Sequence, residues 1–415
     1  MTFSMRIILL SQWFAPEPAA RVNALAAELS NKGHSVTVLT GYPNYPQGRL
    51  YLGYKMRLWS WEDHGKFRVL RMALYPDHSR SPIKRSLNYL SFWASVMALG
   101  PWLCGRADVV WAFTMHAGLP ALWLRWLRRL PFVIDVADVW PETLAETGMV
   151  RPGLLLCAAG AYCRLVYKQA SFVTVQSQGF RDNLLSKGVS AEKIVVVENM
   201  ADDAIYHPQE PDSEFGRAHG LLGRFNVIFA GAMGLAQGLP TLIAAASKLK
   251  EIVDIQFVLV GEGSCIDDAK AMARRLCLEN IRFVPHQPAL LMPKFFAHAG
   301  ALLVHLKRSP LFSITVPAKT QVYLASQRPI IMAVAGEGTE LIERNGCGLT
   351  CLPEDPDALA AAIKDLYSQS PEQRAALGKA GRALYLQRFT KRAMVDRTES
   401  VLAAAAEGRV RVEKT

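Results

Sequence analysis

The segment Val227–Leu239, VIFAGAMGLAQGL, constrains the fold of this chain more than any other feature of the sequence. A run of β-branched and aromatic residues breaks into three glycines and then resumes as an apolar, helix-favouring segment. This pattern predicts a strand, a tight turn and a helix. Gly231, Gly234 and Gly238 lack Cβ atoms, so backbone amides can approach a ligand there, and the following helix directs its positive dipole end to the same place. A diphosphate fits such a turn, although a glycine-rich turn also serves packing alone.

Strand and helix patterns alternate along the whole chain, which predicts an α/β fold with parallel sheets covered on both faces. With 415 residues the chain exceeds the usual size of one core, so two domains are expected. The polar passage Ala201–Gly223 separates two series of strands. We predict a Rossmann-like domain over residues 1–202, a second over 203–389, and a C-terminal helix over 390–415 that crosses back to the first. The carboxyl ends of the two predicted sheets are expected to face each other across a cleft.

The net charge indicates which partners the protein can bind, and the cysteine content indicates its cellular compartment. The formal net charge is +11, which favours anionic partners, but the Lys and Arg residues are dispersed and match no nucleic-acid-binding module. We therefore expect no nucleic acid. Seven cysteines without C-x-x-C spacing indicate reduced thiols and a cytoplasmic protein. The apolar run Ile7–Leu10 is too short for a signal peptide and predicts a first strand.

Two stretches of the first predicted domain suggest membrane contact. Leu87–Cys104 has no charged residue and follows Arg80, Lys84 and Arg85. Polar residues interrupt it, which favours a buried or monotopic helix over a spanning one. The segment 119–130 has apolar residues at helical spacing on one predicted face and Arg125, Arg128 and Arg129 on the other. The apolar residues are Leu119, Leu122, Trp123, Trp126, Leu127 and Leu130. Together they predict peripheral binding to an anionic membrane surface, with an ordinary helix packed on the sheet as the alternative.

Several stretches in this order resemble the family-4 glycosyltransferases of the two-Rossmann GT-B architecture, in the bacterial branch that builds surface polysaccharides. Each stretch alone is weakly specific, whereas the ordered set is specific. The stretches are WFAPEPAARVNALAAELSNKGHSVTVLTGYPNYPQG near the start, DVADVWPE at Asp135–Glu142, SQGFRDNLLSKGVSAEKIVVVENMAD at Ser177–Asp202, FAGAMGLAQGL, GEG at Gly261–Gly263, PLFSITVPAKTQVYLASQRPI at Pro310–Ile330 and GCGLTCLPEDPDAL at Gly346–Leu359.

Side-chain chemistry and the resemblance together predict the donor site. A sugar nucleotide carries its leaving charge on the diphosphate, so fixed amides and cations stabilise transfer. Lys307 and Lys319 are candidate cations, Glu262 a candidate acceptor for a ribose or sugar hydroxyl, and His286 resembles a base-contacting position. Their alternatives are solvated surface lysines, a turn carboxylate and a polar loop residue. The predicted donor-binding set is Gly231, Gly234, Gln237, Gly238, Glu262, His286, Lys307 and Lys319.

The chain departs from the family pattern at the donor site. Many members use two glutamates with seven residues between them, but the matching positions here are Ile314 and Val322. The common Arg and Lys of the glycine turn are replaced by Ala232 and Gln237. We therefore hypothesise that Lys319 takes over the missing positive charge as a catalytic residue.

On the acceptor side, Asp135 and Asp138 alternate at a predicted strand end. Asp138 is the leading candidate for positioning an acceptor hydroxyl, and the alternative is that it caps the following turn. His116, Asp135 and Glu142 are further acceptor-side candidates. Ala137 stands where relatives often place His or Arg. The resemblance implies retention of configuration, with the leaving phosphate taking the acceptor proton.

These expectations combine into a glycosyltransferase that needs no cofactor or metal. It moves a sugar from a UDP-sugar to a polyprenyl-diphosphate-linked saccharide at the inner face of the cytoplasmic membrane. Two alternatives stay open at this point: a UDP-N-acetylhexosamine 2-epimerase-like enzyme of the same fold, and a non-catalytic partner that binds sugar nucleotide or lipid.

Overall fold

The structure is a computed structural model that describes residues 4–79, 81–143 and 153–408, so Arg80 of the predicted membrane stretch lies outside it. The chain divides into two compact units. Unit 1 comprises Met1–Val197 with Met394–Thr415, and unit 2 comprises Glu198–Ala393. Each unit has a parallel sheet with helices between the strands, which confirms the predicted class of two α/β domains.

Unit 1 contains an eight-stranded sheet in the order β3-β4-β2-β1-β5-β6-β7-β8. All neighbours pair in parallel except β3, which runs antiparallel to β4. The strands are β1 (Arg6–Leu10), β2 (Ser35–Gly41), β3 (Trp59–Asp63), β4 (Arg68–Met72), β5 (Val109–Phe113), β6 (Phe132–Val136), β7 (Phe172–Val175) and β8 (Ile194–Val196). The helices are α1 (Ala20–Asn31), α2 (Pro82–Leu103), α3 (Gly118–Arg128), α4 (Leu154–Gln169) and α5 (Gln178–Ser186).

Unit 2 contains a six-stranded parallel sheet in the order β11-β10-β9-β12-β13-β14. The strands are β9 (Phe225–Ala230), β10 (Ile255–Val260), β11 (Ile281–Val284), β12 (Ala299–His305), β13 (Ile330–Ala333) and β14 (Gly348–Thr350). The helices are α6 (Ser213–His219), α7 (Leu239–Lys248), α8 (Ile266–Arg275), α9 (Met292–Ala297), α10 (Pro310–Ser313), α11 (Lys319–Ala325), α12 (Glu337–Arg344), α13 (Pro356–Ser368) and α14 (Pro371–Arg388), and α15 (Lys391–Ala406) follows.

The core of unit 2 lies on both faces of its sheet. Every residue of β9 and β10 is buried, as expected for central parallel strands. Successive residues of β9 enter different clusters, because side chains alternate across a strand. Ile228 packs with one set of core residues, whereas Val227 and Phe229 pack with another. The strand end that leads into Gly231 is therefore held from two sides.

The last helix packs on unit 1 through a small ionic cluster. His34 Nε2 lies 2.8 Å from Glu399 Oε1, and His34 Nδ1 accepts a hydrogen bond from the Met5 N–H at 3.1 Å. Lys32 pairs with both Asp396 and Glu399. The predicted C-terminal helix thus belongs, from Met394 onward, with the first sheet.

Two strands escaped the sequence analysis, β3 and β14. Strand β14 begins at Gly348, where an added Cβ would lie 1.8 Å from the Ile330 carbonyl oxygen. The backbones therefore approach too closely for a side chain, and glycine at that position weakens the strand signal in the sequence. Strand β3 is a short, partly exposed edge strand.

The uncharged stretch Leu87–Cys104 forms most of α2. Asn88, Phe92 and Val96 are buried one turn apart, so one face of the helix packs on the unit. Within the described residues, no helix combines the length and the hydropathy needed to cross a bilayer. The apolar face predicted for α3 is also only partly buried, because Leu122 is buried whereas Trp126 is 52% exposed.

Candidate functional site

The glycine turn, Gly231–Gly238, follows β9 directly and is fixed by its own backbone. Gly231 has φ +126° and donates its N–H to the Val260 carbonyl oxygen at 2.9 Å. The Gly234 N–H donates to Gln237 Oε1 at 2.9 Å, so the Gln237 side chain closes the turn. A single 3₁₀ turn at Leu235–Gln237 lies within the glycine turn, and α7 begins at Leu239, directly after the third glycine, as the sequence predicted.

A second turn, Gly261–Gly263, packs backbone against backbone on the glycine turn. An added Cβ at Gly261 would lie 2.0 Å from the Gly231 carbonyl oxygen, and one at Gly263 would lie 2.4 Å from the Met233 carbonyl. The Met233 N–H donates to the Glu262 carbonyl oxygen at 2.8 Å. Packing thus requires glycine on both sides of Glu262, whose side chain is exposed.

Lys319, the first residue of α11, places a buried ammonium beside the glycine turn. Its Nζ lies 3.5 Å from the Phe229 ring centroid and 3.4 Å from where a Cβ of Gly231 would be. The Nζ is buried and has no hydrogen-bond partner among the described residues. Burial lowers the pKa of this lysine to about 7. An unpaired buried cation is costly, so this arrangement favours an anion next to the turn.

Tyr323 fixes the helix that carries Lys319, and the sequence analysis missed it. Its hydroxyl accepts from the Ala230 N–H at 2.8 Å and donates to the Ala230 carbonyl oxygen at 3.3 Å. Lys319 and Tyr323 are four residues apart and therefore share one face of α11. This spacing is the signal that sequence reasoning had available.

His305, the last residue of β12, is a second missed residue. Its Nδ1 lies 2.8 Å from the Gln237 carbonyl oxygen, which only accepts, so Nδ1 carries the proton. Its Nε2 accepts from the Glu354 N–H at 3.2 Å, and burial lowers the pKa of the imidazole. Gly238 has φ +57°, and an added Cβ there would lie 2.7 Å from His305 Cε1. Neutral His305 thus positions the end of the glycine turn.

The remaining predicted donor residues lie at different places in unit 2. Lys307 is held at the turn by its backbone, because its N–H donates to the Ala236 carbonyl oxygen at 2.9 Å. His286 is exposed in the loop after β11. Gly231, Gly234, Gln237, Gly238, Lys307 and Lys319 therefore form one neighbourhood, and their contacts with a donor stay predictions.

In unit 1, buried Glu17 organises the loops at the carboxyl ends of β1 and β2. Its carboxylate accepts the N–H of Asn44 and of Tyr45, each at 2.8 Å, and the N–H of Phe14 at 3.1 Å. Burial raises the pKa of this carboxyl group, although the three N–H donors and nearby Arg71 oppose the rise. Backbone donors from two loops thus converge on a single side chain.

Asp135, predicted on the acceptor side, is fully buried in β6. Its Oδ2 pairs with Arg21 Nε at 2.9 Å, its Oδ1 accepts from Thr174 Oγ1 at 2.6 Å, and Arg21 also donates to the Val197 carbonyl oxygen at 3.0 Å. The carboxylate therefore joins α1, β6 and β7, and we assign it a structural role in place of acceptor contact.

His116 lies in an aromatic surround just after β5. Ring centroids of Trp13, Tyr89 and Trp140 stand 5.2, 4.4 and 4.9 Å from the imidazole centroid. Burial lowers the pKa of His116 to about 4, so the ring is neutral at physiological pH. Its Nδ1 lies 3.1 Å from Thr114 Oγ1.

Asp138 and Glu142 follow β6 and differ in their contacts. Asp138 keeps solvent exposure, and partial desolvation by its surroundings raises the pKa of its carboxyl group. Glu142 Oε2 pairs with Lys187 Nζ at 2.7 Å, and that lysine also reaches the Trp140 carbonyl oxygen at 3.3 Å. Asp138 is thus the more available of these two carboxylates, and its role stays a prediction.

Among residues 4–79, 81–143 and 153–408, no group of three or more His, Cys, Asp or Glu side chains is arranged to hold a metal ion.

Two family models match the chain over most of its length. The Glycosyl transferase 4-like domain matches residues 17–200, and the Glycosyl transferases group 1 model matches residues 224–369. A pair of α/β units that matches these two models in this order defines a glycosyltransferase of the GT-B class. The chain belongs to the family-4 glycosyltransferases.

Similar proteins agree with this assignment. A protein of Escherichia coli K12 named as a colanic acid biosynthesis glycosyl transferase, WcaI, is 26% identical over 81% of this chain and 85% of its own length. A protein of Pseudomonas aeruginosa named as a glycosyltransferase, WbjE, is 26% identical over 63% of this chain and 66% of its own length.

Solved structures establish the same fold at low identity. Anabaena HepE, crystallised with UDP and glucose, superposes with a TM-score of 0.72 at 19% identity over 96% of this chain and all of that one. WaaG, a glycosyltransferase involved in lipopolysaccharide biosynthesis, gives a TM-score of 0.65 at 16% identity over 95% of this chain and 99% of its own.

Replacing Lys319 with methionine keeps much of the side-chain volume and removes the buried charge. Because burial lowers the lysine pKa from 10.5 to about 7, charged Lys319 destabilises the folded protein at and below pH 7. We expect the unliganded Lys319→Met variant to have a higher Tm than the wild type at pH 6.5, by roughly 2–4 °C for each kcal/mol gained.

Measuring the same difference in Tm at higher pH separates the effect of the lysine charge from the effect of side-chain packing. Between pH 7 and 10 lysine is neutral in the folded protein but protonated in the unfolded chain, so wild-type stability rises and the advantage of the variant shrinks. Lys307→Met, at a partly exposed lysine, is the control and should show no such trend. A variant that is less stable at every pH would contradict the assignment of a buried, unpaired ammonium.

Proposed function

We propose that this glycosyltransferase takes its sugar from a UDP-sugar and transfers it to a lipid-linked saccharide during assembly of a bacterial surface polysaccharide. One observation carries the donor assignment: the buried, unpartnered Lys319 ammonium beside the Gly231 backbone. UDP in the HepE crystals and the polysaccharide pathways in the names of WcaI and WaaG support the proposal. Transfer is preferred to epimerisation or binding alone because both family models describe glycosyl transferases.

Lys319 acts where charge develops. As the bond from the anomeric carbon to the β-phosphate oxygen breaks, negative charge accumulates on the departing UDP. A fixed ammonium in a desolvated site stabilises that charge without a metal ion. Because an anion favours the charged lysine, UDP binding raises the pKa of Lys319 and restores its proton at neutral pH.

Transfer then needs little from the acceptor side. The acceptor hydroxyl oxygen bonds to the anomeric carbon, and its proton passes to an oxygen of the leaving phosphate, so configuration is retained. Asp138 orients the hydroxyl, in keeping with its exposure, and Ala137 supplies no acid or base. The fully buried Asp135 takes no part in this step.

UDP binding tests the donor assignment. We expect UDP and UDP-sugars to raise the Tm of the wild-type protein, because a ligand of the folded state stabilises it by mass action. A charge-assisted hydrogen bond contributes about 1.5–3 kcal/mol, so Lys319→Met should weaken UDP binding by roughly tenfold to a hundredfold.

The control is Lys187→Met, which removes a cation of unit 1 and should leave UDP affinity unchanged. Isothermal titration calorimetry measures all three proteins. No response of the wild type to any nucleotide or nucleotide sugar would refute the donor proposal.

We further propose that unit 1 binds an anionic membrane through α2. Its solvent side is an apolar stripe, in which residues recur every three or four positions over the whole helix: Ile83, Leu87, Leu90, Ala94, Ala98 and Trp102. A solvent-facing helix surface is normally polar, so such a stripe marks an interaction surface. Exposed Lys84 and Arg106 at its two ends complement acidic lipid head groups.

Vesicle flotation tests the apolar stripe. The Leu87→Ser/Leu90→Ser variant should bind vesicles containing anionic lipid at least about tenfold more weakly, because burying each leucine contributes roughly 1.5–3 kcal/mol. The matched control is Leu290→Ser/Leu386→Ser, which changes two leucines of unit 2 that are at least as exposed as Leu87 and Leu90. Equal flotation of both variants, or no flotation of the wild type, would contradict membrane binding through α2.

A further inference from the structure

Residues from six segments of unit 1, namely α2 and the loops after β1, β2, β4, β5 and β6, form an aromatic–imidazole cluster at the carboxyl ends of these strands. The cluster consists of Trp13, Tyr45, His78, Tyr89, His116 and Trp140. Besides the contacts of His116 already given, the Tyr45 ring stands 4.7 Å from His78 and 5.9 Å from Trp13. In open α/β sheets this edge is where ligands bind.

A buried amide network holds the cluster in place. Gln12 Nε2 donates to Asn88 Oδ1 at 2.6 Å, and Asn88 Nδ2 donates to Asn44 Oδ1 at 3.2 Å and to the Tyr75 carbonyl oxygen at 2.7 Å. The loops after β1 and β2 are thereby tied to α2. Glu17 accepts hydrogen bonds from the backbone N–H groups of Asn44 and Tyr45 and so extends the same network.

Two polar atoms of the cluster are buried without a partner. Among the described residues, neither Trp13 Nε1 nor His78 Nε2 has a hydrogen bond. Neighbouring tryptophans differ, since Trp93 Nε1 donates to the His116 carbonyl oxygen at 2.5 Å and Trp123 Nε1 donates to that of Met97 at 2.9 Å. An unmade hydrogen bond costs about 1–3 kcal/mol, so two in one place indicate a polar ligand.

A permanent cation lies beside this cluster. Arg85, on α2, lies close enough to His78 and His116 to lower the pKa of both, although burial is the larger cause for each. The Asp77 carboxylate opposes this effect at His78. A permanent guanidinium beside an unpartnered indole N–H and an unpartnered imidazole nitrogen suits an anion with several oxygens.

We propose that Trp13, His78 and Arg85 bind a phosphate or diphosphate anion, with His116 and Trp140 as the adjoining wall. This inference rests on the proposed function, in which the acceptor sugar is attached to a lipid diphosphate. The same anion can also arrive as free pyrophosphate, and the experiment below separates the two sources.

Helix α2 connects this site with the apolar stripe. At about 100° per residue, positions 85 and 89 point roughly 150° away from positions 83, 87 and 90. One helix therefore carries Arg85 and the cluster residue Tyr89 on one side and the apolar stripe on the other. A lipid diphosphate has the same two parts in sequence, an apolar chain and then a charged group.

Binding of inorganic pyrophosphate, farnesyl diphosphate and farnesol to the full chain tests the proposal. Tryptophan fluorescence is the direct readout because Trp13 and Trp140 line the site, and calorimetry gives the affinities. We expect both diphosphates to bind and Arg85→Gln to weaken both by about tenfold or more. Lys168→Gln, which changes an exposed lysine of unit 1 on α4, is the matched control and should change neither affinity.

Two conservative variants keep the test valid if Arg85→Gln folds poorly. Arg85→Lys retains the charge and should bind diphosphate better than Arg85→Gln, and Trp13→Phe should weaken binding by removing one N–H donor. Tighter binding of farnesyl diphosphate than of pyrophosphate supports the lipid source, and equal binding supports the free anion. Diphosphate affinity that is unchanged in Arg85→Gln and Trp13→Phe would overturn the proposal.

Failure here is distinguishable from failure of the proposed function. UDP affinity should be unchanged in Arg85→Gln, since Lys319 lies in unit 2. Pyrophosphate binding that disappears in Lys319→Met and persists in Arg85→Gln would place the anion at the glycine turn and refute the site in unit 1.

Discussion

The contact between the Lys319 ammonium and the Phe229 ring is the interaction on which the donor site depends. The ring face lies against the cation, with Nζ 3.5 Å from the ring centroid and close to the glycine turn. A cation–π contact at a desolvated site contributes about 2 kcal/mol, which is less than the cost of burying a charge. An anion beside Lys319 would therefore lower the free-energy cost of the buried charge. In the free protein the stability of the surrounding sheet offsets this cost.

Support comes from side chains whose partners are backbone groups. Tyr323 fixes the strand end at Ala230, and neutral His305 fixes the far end of the glycine turn through the Gln237 carbonyl. In unit 1 a buried carboxylate, Glu17, does the equivalent for two loops. The rigid sheets thus determine where amides, cations and rings stand before any ligand arrives.

The sequence predicted the alternating strands and the glycine turn, because each is encoded by neighbouring residues, and it named Lys319 as a candidate cation. It did not predict His305 or Tyr323, whose partners lie 68 and 93 residues away along the chain. It also missed β14, because the close approach of two backbones requires Gly348 there and glycine weakens the strand pattern in the sequence. The sequence placed Asp135 with Asp138 at a strand end as an acceptor-side candidate, and its buried ion pair with Arg21 is a tertiary contact that the local pattern does not encode.

Nuclear magnetic resonance titration of Lys319, with the protein labelled at the lysine Cε, measures the central claim directly. The account predicts a pKa near 7 for this lysine in the free protein, rising when UDP binds. An ordinary pKa near 10.5 in the free protein, or a titration curve that UDP leaves unchanged, would show that the ammonium is neither desolvated nor in contact with the donor.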